Sequence, residues 1–331
     1  MPTVINLLPF TANTRFKNTQ AQLIRATNLS VIFELQRKLP VAVLKLYLQS
    51  FEESGGETII WNDEASGLIE TKLTPDEKSY HREKNALNSI THSCIPRIYH
   101  SGTVDATTGS VPYLLLQHFR GKNLADTEQE KLSPAHMRKT FICICHALDA
   151  THSQGYLHCD IKPSNIIVNS NRAALIDFGL SIHKDNQELD DIVRGTPSYV
   201  SPEQAQARTL DERTDIYSLG ATLYYAFTRQ TLFGARSAIG YLTAHLHEPV
   251  PMEPLENTPK PIKEIILRCL EKDRDARYNN ARELAHELEN ITSRNLSSSD
   301  RVYIRISTPS DATSHPSGDT VGFVKPAPLR T

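Results

Sequence analysis

The sequence predicts an α+β fold of two lobes, a small β-rich one followed by a larger, mainly helical one. Three observations predict it. Up to about Phe119 the apolar residues come in short runs of β character, among them LSVIFEL (29–35), VAVLKLYL (41–48), ETIIW (57–61) and VPYLLLQ (111–117). After Ser133-Pro134, which open a helix, apolar residues recur at helical spacing in Met137, Phe141, Ile144 and Leu148. The stretch DIYSLGATLYYAFT (215–228) is apolar nearly all round, as a helix buried through the middle of a domain would be.

In chain order, residues 1–19 read as an N-terminal extension, 20–118 as the small lobe, 119–293 as the large lobe and 294–331 as a flexible tail rich in Ser, Thr and Pro. One helix interrupts the β-rich part. Thr74-Pro75-Asp76-Glu77 offers Thr74 as N-cap, a proline at the first helical position and Glu77 at capping-box spacing, predicting a helix to about Asn88. Leu284, Leu288 and Ile291 mark an amphipathic helix near the end of the large lobe.

Composition excludes several classes. The formal net charge of −2 gives no global field for nucleic acid or an anionic membrane. No run approaches the length of a membrane span, and the first residues lack a secretory leader. The five cysteines, Cys94, Cys143, Cys145, Cys159 and Cys269, form no C-x-x-C pair and no zinc spacing, which predicts reduced thiols in the cytoplasm.

The chemistry concentrates in His158-Cys159-Asp160-Ile161-Lys162-Pro163-Ser164-Asn165. An aspartate, a lysine two residues on and an asparagine five residues on suit phosphoryl transfer: the acid takes or orients a hydroxyl proton, the ammonium meets the γ-phosphate and the amide oxygen binds a metal. Twelve residues beyond Asn165 stands Asp177, in Ile176-Asp177-Phe178-Gly179, a hard-oxygen ligand of the kind Mg²⁺ takes.

These two segments resemble the catalytic and metal-binding loops of eukaryotic-type (Hanks-type) Ser/Thr protein kinases, soluble bacterial members most of all. Further likenesses follow in order. Gly195-Thr196-Pro197-Ser198-Tyr199-Val200-Ser201-Pro202-Glu203 resembles the end of an activation segment, with Ser201 in place of the usual alanine. Arg213 and Thr214 lead into Asp215 and Gly220, which resemble the helix supporting the catalytic loop, and Arg277 resembles the arginine that pairs with Glu203. The likeness covers about residues 20 to 293. It implies a bilobal protein-kinase-like fold that uses ATP and Mg²⁺, with Mn²⁺ as an alternative metal. The implied roles are Asp160, Lys162 and Thr196 in catalysis, Asn165 and Asp177 at the metal, and Lys45 paired with Glu83 near the phosphates. Val31, Val43, Gln117, Phe119 and Ile167 would surround the nucleotide, with Leu116 as gatekeeper. The implied partners are protein substrates with Ser or Thr and, further, a regulatory partner or a second copy of the chain.

The pattern breaks in three places. Ile24, Ala26 and Leu29 stand where the family has the glycines of its phosphate loop, and glycine is what lets a backbone approach phosphate closely. Lys45, in Val43-Leu44-Lys45, competes with Lys72 for the strand lysine; choosing Lys45 implies an insertion over about 49–73 carrying extra strands. Cys159 replaces the arginine that would receive an activating phosphate, and the segment 182–195 contains no hydroxyl residue to carry one. Four carboxylates stand there instead, Asp185, Glu188, Asp190 and Asp191, as candidate partners for Arg194 or for Lys78, Arg82 and Lys84. Three functions remain open at this level: an active kinase that phosphorylates protein hydroxyls and its own tail, a pseudokinase scaffold, and a kinase-fold enzyme that transfers AMP or acts on a small molecule.

Overall fold

A computed structural model of the chain describes residues 3–6, 20–27, 30–36, 42–49, 59–62, 68–71, 74–106, 109–127, 133–170, 172–187, 192–234, 236–292 and 323–324. They form an α+β structure of two compact units, Met1–Thr91 with Pro96–Phe119, and His92–Ile95 with Arg120–Thr331.

The first unit is built on strands β1 (Thr3–Asn6), β2 (Gln20–Thr27), β3 (Ser30–Gln36), β4 (Ala42–Gln49), β5 (Ile59–Asn62), β6 (Leu68–Thr71), β7 (Thr74–Pro75), β8 (Ile98–Ala106) and β9 (Gly109–Gln117), with helix α1 (Glu77–Ser89). The sheet runs β2-β3-β4-β9-β8-β1-β6-β5, with β7 on β4. The N-terminal segment expected as an extension thus supplies a strand of this sheet, β1, between β8 and β6. The expected insertion supplies β5 and β6. Leu44, Leu46 and Leu48 are buried, and so is Tyr47 on the alternate side of β4, marking a strand covered on both faces.

The helix start differs from the sequence expectation. Thr74 and Pro75 pair with Gln49 and Leu48 of β4, and the N-cap is Asp76, whose carboxylate accepts from Ser79 N at 3.1 Å. Asp76 is the stronger capping residue of the two, and its own N–H donates to Tyr47 O at 3.1 Å. Pairing with β4 therefore draws Thr74 and Pro75 out of the helix.

The second unit carries β10 (Lys122–Asn123), helix α2 (Pro134–Ser153), β11 (Tyr156–Leu157), β12 (Ile166–Val168), β13 (Ala173–Leu175), β14 (Ile182–His183), β15 (Ile192–Val193) and helices α3 (Pro202–Ala205), α4 (Glu212–Thr228), α5 (Ala238–His247), α6 (Lys260–Cys269) and α7 (Ala281–Asn290), followed by β16 (Phe323–Val324). Ser133 caps α2, accepting from His136 N at 3.2 Å. Helix α4 is buried on nearly every side, as its apolar sequence predicts. Gly220 makes this packing possible, because a Cβ there would lie 2.5 Å from Cys269 Cβ on α6. From the tail, β16 pairs antiparallel with β15; the rest of 293–331 lies outside the described residues, as do Glu188, Asp190 and Asp191.

One expectation about the cysteines is overturned. Cys94 and Cys143 form a disulfide, while Cys145, Cys159 and Cys269 are buried. The two partners stand 49 residues apart on a loop and a helix, a separation that no spacing rule picks out. Among the described residues no helix is long and apolar enough to cross a membrane.

Candidate active site

The 158–165 segment, the candidate catalytic loop, is held by Asp215. Its fully buried carboxylate accepts from His158 N (2.8 Å), Cys159 N (2.9 Å) and His152 Nε2 (2.8 Å). Burial pushes this carboxyl up, but the hydrogen bond and charge of His152, with the His158 N–H, outweigh it and hold the group below the ordinary carboxylate value. The charged acceptor fixes a strained turn, with Cys159 at φ 65°. Gly195, at φ 118°, comes close here: a Cβ on it would lie 3.0 Å from Cys159 O. Cys159 packs with Leu157 and Ile182, so a small apolar side chain fills the place where the resemblance has a phosphate-receiving arginine.

Above this support four buried polar side chains converge. Asp160 Oδ1 accepts from Thr196 N (3.1 Å) and Thr196 Oγ1 (2.7 Å), while Asp160 Oδ2 accepts from Asn165 Nδ2 (3.0 Å) and faces Lys162 Nζ at 2.9 Å. The Thr196 hydroxyl also accepts from Lys162 Nζ at 2.7 Å. Asn165 Nδ2 is held further by Asp160 O at 2.9 Å. Asp177 follows β13 at φ 67°, its Oδ1 accepting from Gly179 N at 3.3 Å. The neighbouring Phe178 ring meets His158 edge-on at 4.7 Å between centroids. His158 spans both loops, Nε2 donating to Ile176 O (3.2 Å) and Nδ1 accepting from Asp160 N (3.3 Å). Ile167, on β12, is half-buried.

Asn165 and Asp177 fit a hard divalent cation. Both Asn165 contacts use the amide nitrogen, which leaves its oxygen as the ligand atom, and Asp177 adds carboxylate oxygens; this is the donor set of Mg²⁺.

The first unit contains its own charged pair. Lys45 Nζ lies 2.6 Å from Glu83 Oε2, the two side chains being 5% and 1% exposed. Tyr47 OH donates to the same oxygen at 2.7 Å. Glu83 stands on the inner face of α1 and Lys45 in the middle of β4, opposite Leu114 of β9. Val43, half-buried, faces Leu116 in that ladder, and Gln117 N donates to Arg97 O at 2.9 Å beside Phe119. Val31 pairs with Leu46, its side chain lying outside the described residues, as do Lys72 and Leu29. Ile24 falls at a bulge in β2 and Ala26 pairs within the β2–β3 ladder, so strand backbone occupies the stretch where the resemblance has glycines. Lys45→Met should therefore lower kcat/KM about 100-fold or more, and Lys72→Met only slightly. Steady-state kinetics on the two variants check this; the reverse ranking would mean that β4 is not the lysine strand.

Sequence reasoning passed over His152, Tyr47 and Gln204. Only Gln204 left a local signal, the Ser201-x-x-Gln204 capping box, which the structure forms in full. Its Nε2 reaches past the cap to Cys159 O and Arg194 O, both at 2.9 Å. Of the acidic residues expected to order the segment, the described Asp185 faces His183 at 3.8 Å.

Residues 67–288 match the family model of the protein kinase domain, a match that begins after Lys45. The chain is 29% identical over 269 residues to a probable serine/threonine-protein kinase of Corynebacterium efficiens, covering 75% of this chain and 40% of the relative. It is 30% identical over 239 residues to the serine/threonine-protein kinase PknB of Mycolicibacterium smegmatis (68% and 38%). It is also 30% identical over 263 residues to a probable serine/threonine-protein kinase of Clostridium acetobutylicum (76% and 39%). The chain thus spans about two fifths of the length of these relatives.

Proposed function

The chain belongs to the protein kinase family, and from that premise we propose that it is a cytoplasmic serine/threonine kinase that transfers the γ-phosphoryl group of ATP to protein hydroxyls, its own tail included. The observation that carries this reading is the buried cluster in which Thr196 and Asn165 fix both oxygens of Asp160 beside Lys162.

A carboxylate offers about four acceptor positions. Thr196 N, Thr196 Oγ1, Asn165 Nδ2 and Lys162 Nζ fill them. An incoming hydroxyl needs one of these vacated, and Lys162 is the donor that can leave, exchanging Asp160 Oδ2 for the γ-phosphate. Asp160 then accepts the hydroxyl proton as the oxygen–phosphorus bond forms, the bond to the β,γ-bridging oxygen breaks and ADP departs. Mg²⁺ bound by Asn165 and Asp177 would neutralise phosphate charge. Within the first unit Glu83 orients Lys45, and the resemblance gives that lysine a role at the nucleotide phosphates.

The scaffold reading draws on one observation, the strand backbone at Ile24 and Ala26 where glycines are absent. Purified chain with labelled ATP, Mg²⁺ and a generic protein substrate separates the two: label on protein supports the kinase, and none at millimolar ATP supports the scaffold.

Activity should not depend on phosphate within 182–195. Phosphorylating Thr196 itself would destroy the hydroxyl that bridges Asp160 and Lys162. Phosphatase-treated chain should therefore stay active in its first turnovers, with label appearing in the tail, at residues such as Ser297–Ser299, Thr308, Thr313 and Thr320. Silencing by phosphatase, with recovery on rephosphorylation of Ser181, Thr196 or Ser198, would contradict this.

A further inference from the structure

A cavity of about 550 Å³ in the second unit lies away from the catalytic cluster, and the sulfurs of Cys94 and Cys143 belong to residues of its wall. Helix periodicity builds one side. His136, Lys139 and Cys143 follow at i, i+3 and i+7 and so share a face of α2. Arg172, before β13, and Ser133, the cap of α2, complete a lining that is cationic and hydroxylated. The described residues place no carboxylate within salt-bridge reach of Lys139 or Arg172, both of which are exposed.

The sulfurs are accommodated in either oxidation state. Cys143 Sγ lies 3.6 Å from Ala173 O and Cys94 Sγ 3.9 Å from Ser93 Oγ, so each has a polar neighbour as a thiol as well as a bond as a disulfide. The three other thiols, Cys145, Cys159 and Cys269, are all buried, and burial pushes Cys145 and Cys269 up so that these two stay protonated.

We infer that Cys94–Cys143 is a reversible redox site, reached through this cavity by small thiols that carry carboxylates. The thiolate of such a molecule attacks Sγ of Cys143, the half-buried partner; Cys94 is only 8% exposed. A mixed disulfide forms on Cys143, and the Cys94 sulfur leaves as a thiolate and takes up a proton. A second small thiol then attacks the small-molecule sulfur, releasing Cys143 as a thiol. The sum is one protein disulfide and two small thiols giving two protein thiols and one small disulfide; the reverse uses that small disulfide as oxidant. Lys139 and Arg172 attract the carboxylates.

The pair is well placed to matter. Cys94 O accepts from Leu175 N at 2.8 Å, and Ile176 N donates to Asn165 O at 2.9 Å, so the loop pinned by the disulfide is wired to the backbone flanking Asp177 and to Asn165. Closing a loop over a sequence separation of 49 also stabilises the fold, so reduction should lower Tm by roughly 5 °C or more.

The probes are glutathione, a tripeptide thiol bearing two carboxylates, and cysteamine, a cationic thiol. Chain oxidised with glutathione disulfide and then denatured should show three titratable thiols, rising to five on full reduction. Glutathione should open the native disulfide about tenfold faster than cysteamine, each rate normalised to that thiol's rate on a small model disulfide, and salt should erase the advantage. The exposed pair Lys139→Glu and Arg172→Glu should reverse the preference. Cys94→Ser should trap one glutathione on Cys143, and Cys143→Ser should trap none on Cys94. Five thiols after oxidation, or equal normalised rates indifferent to salt and to the charge reversals, would overturn the assignment. All of these readouts are independent of kinase activity.

Discussion

Asp160→Asn is expected to lower kcat by roughly 10²–10⁴-fold, the usual worth of a positioned general base, while the protein stays folded. The amide keeps one oxygen for Thr196, so the hold on the 196 backbone at 3.1 Å survives. The other position becomes an NH₂ facing two donors, Asn165 Nδ2 at 3.0 Å and Lys162 Nζ at 2.9 Å, and no proton acceptor is left for the substrate. Asp177 needs more care. At φ 67° an alanine is strained by about 1–2 kcal/mol, whereas asparagine tolerates this region. Asp177→Asn therefore tests the loss of ligand charge with little backbone cost, and it should remove several kcal/mol of transition-state stabilisation. Single-turnover assays with a thermal melt on each variant make the measurement. Activity within threefold of wild type in both asparagine variants, melts unchanged, would remove the phosphoryl-transfer reading.

Asp160, Lys162, Asn165 and Asp177 could be named as candidates because they occur in two short segments whose chemistry is local. Helix α4 was legible for a similar reason: nearly every position from Asp215 to Thr228 is suited to burial. What sequence could not show was pairing across distance. The β4–β7 ladder decides between Thr74 and Asp76 as cap, and nothing near Thr74 announces it. β1 enters a sheet whose neighbouring strands begin at Leu68 and Ile98. His152 finds Asp215 at 63 residues' separation, and an ordinary helix histidine gives no sign of it. Lys45 stands between these cases. Its strand was readable, Lys72 being too close to Thr74 for a strand exit, and the 2.6 Å contact with Glu83 adds to that preference, although the match to the family model begins downstream of it.

Losing Arg277, which is only 1% exposed though remote from Asp160 in sequence, should destabilise the second unit strongly. All five of its N–H donors are engaged. Nη1 and Nη2 grip the two oxygens of Glu203 at 2.8 and 3.0 Å, and the rest reach Arg213 O, Lys272 O and Glu271 O. Arg277→Ala leaves Glu203 buried and unpaired except for Thr214, and breaking a buried pair from one side costs about 3–5 kcal/mol. Replacing both members by apolar residues of similar volume, Glu203→Leu with Arg277→Met, should cost less than the single change, because no charge is then stranded. The loss would spread to the catalytic turn, since Glu203 adjoins Gln204 and its grip on Cys159 O. Acid gives an independent check. Burial pushes the Glu203 carboxyl up, but the hydrogen bonds and charge of Arg277 outweigh it and bring the group below its ordinary value of 4.5. The unfolded chain therefore binds this proton first, so the stabilisation is complete above about 4.5 and disappears as the pH falls through the lower folded value. Urea melts of wild type and Glu203→Gln across that window should converge as the pH drops. Parallel curves would show that the pair contributes nothing that depends on its charge.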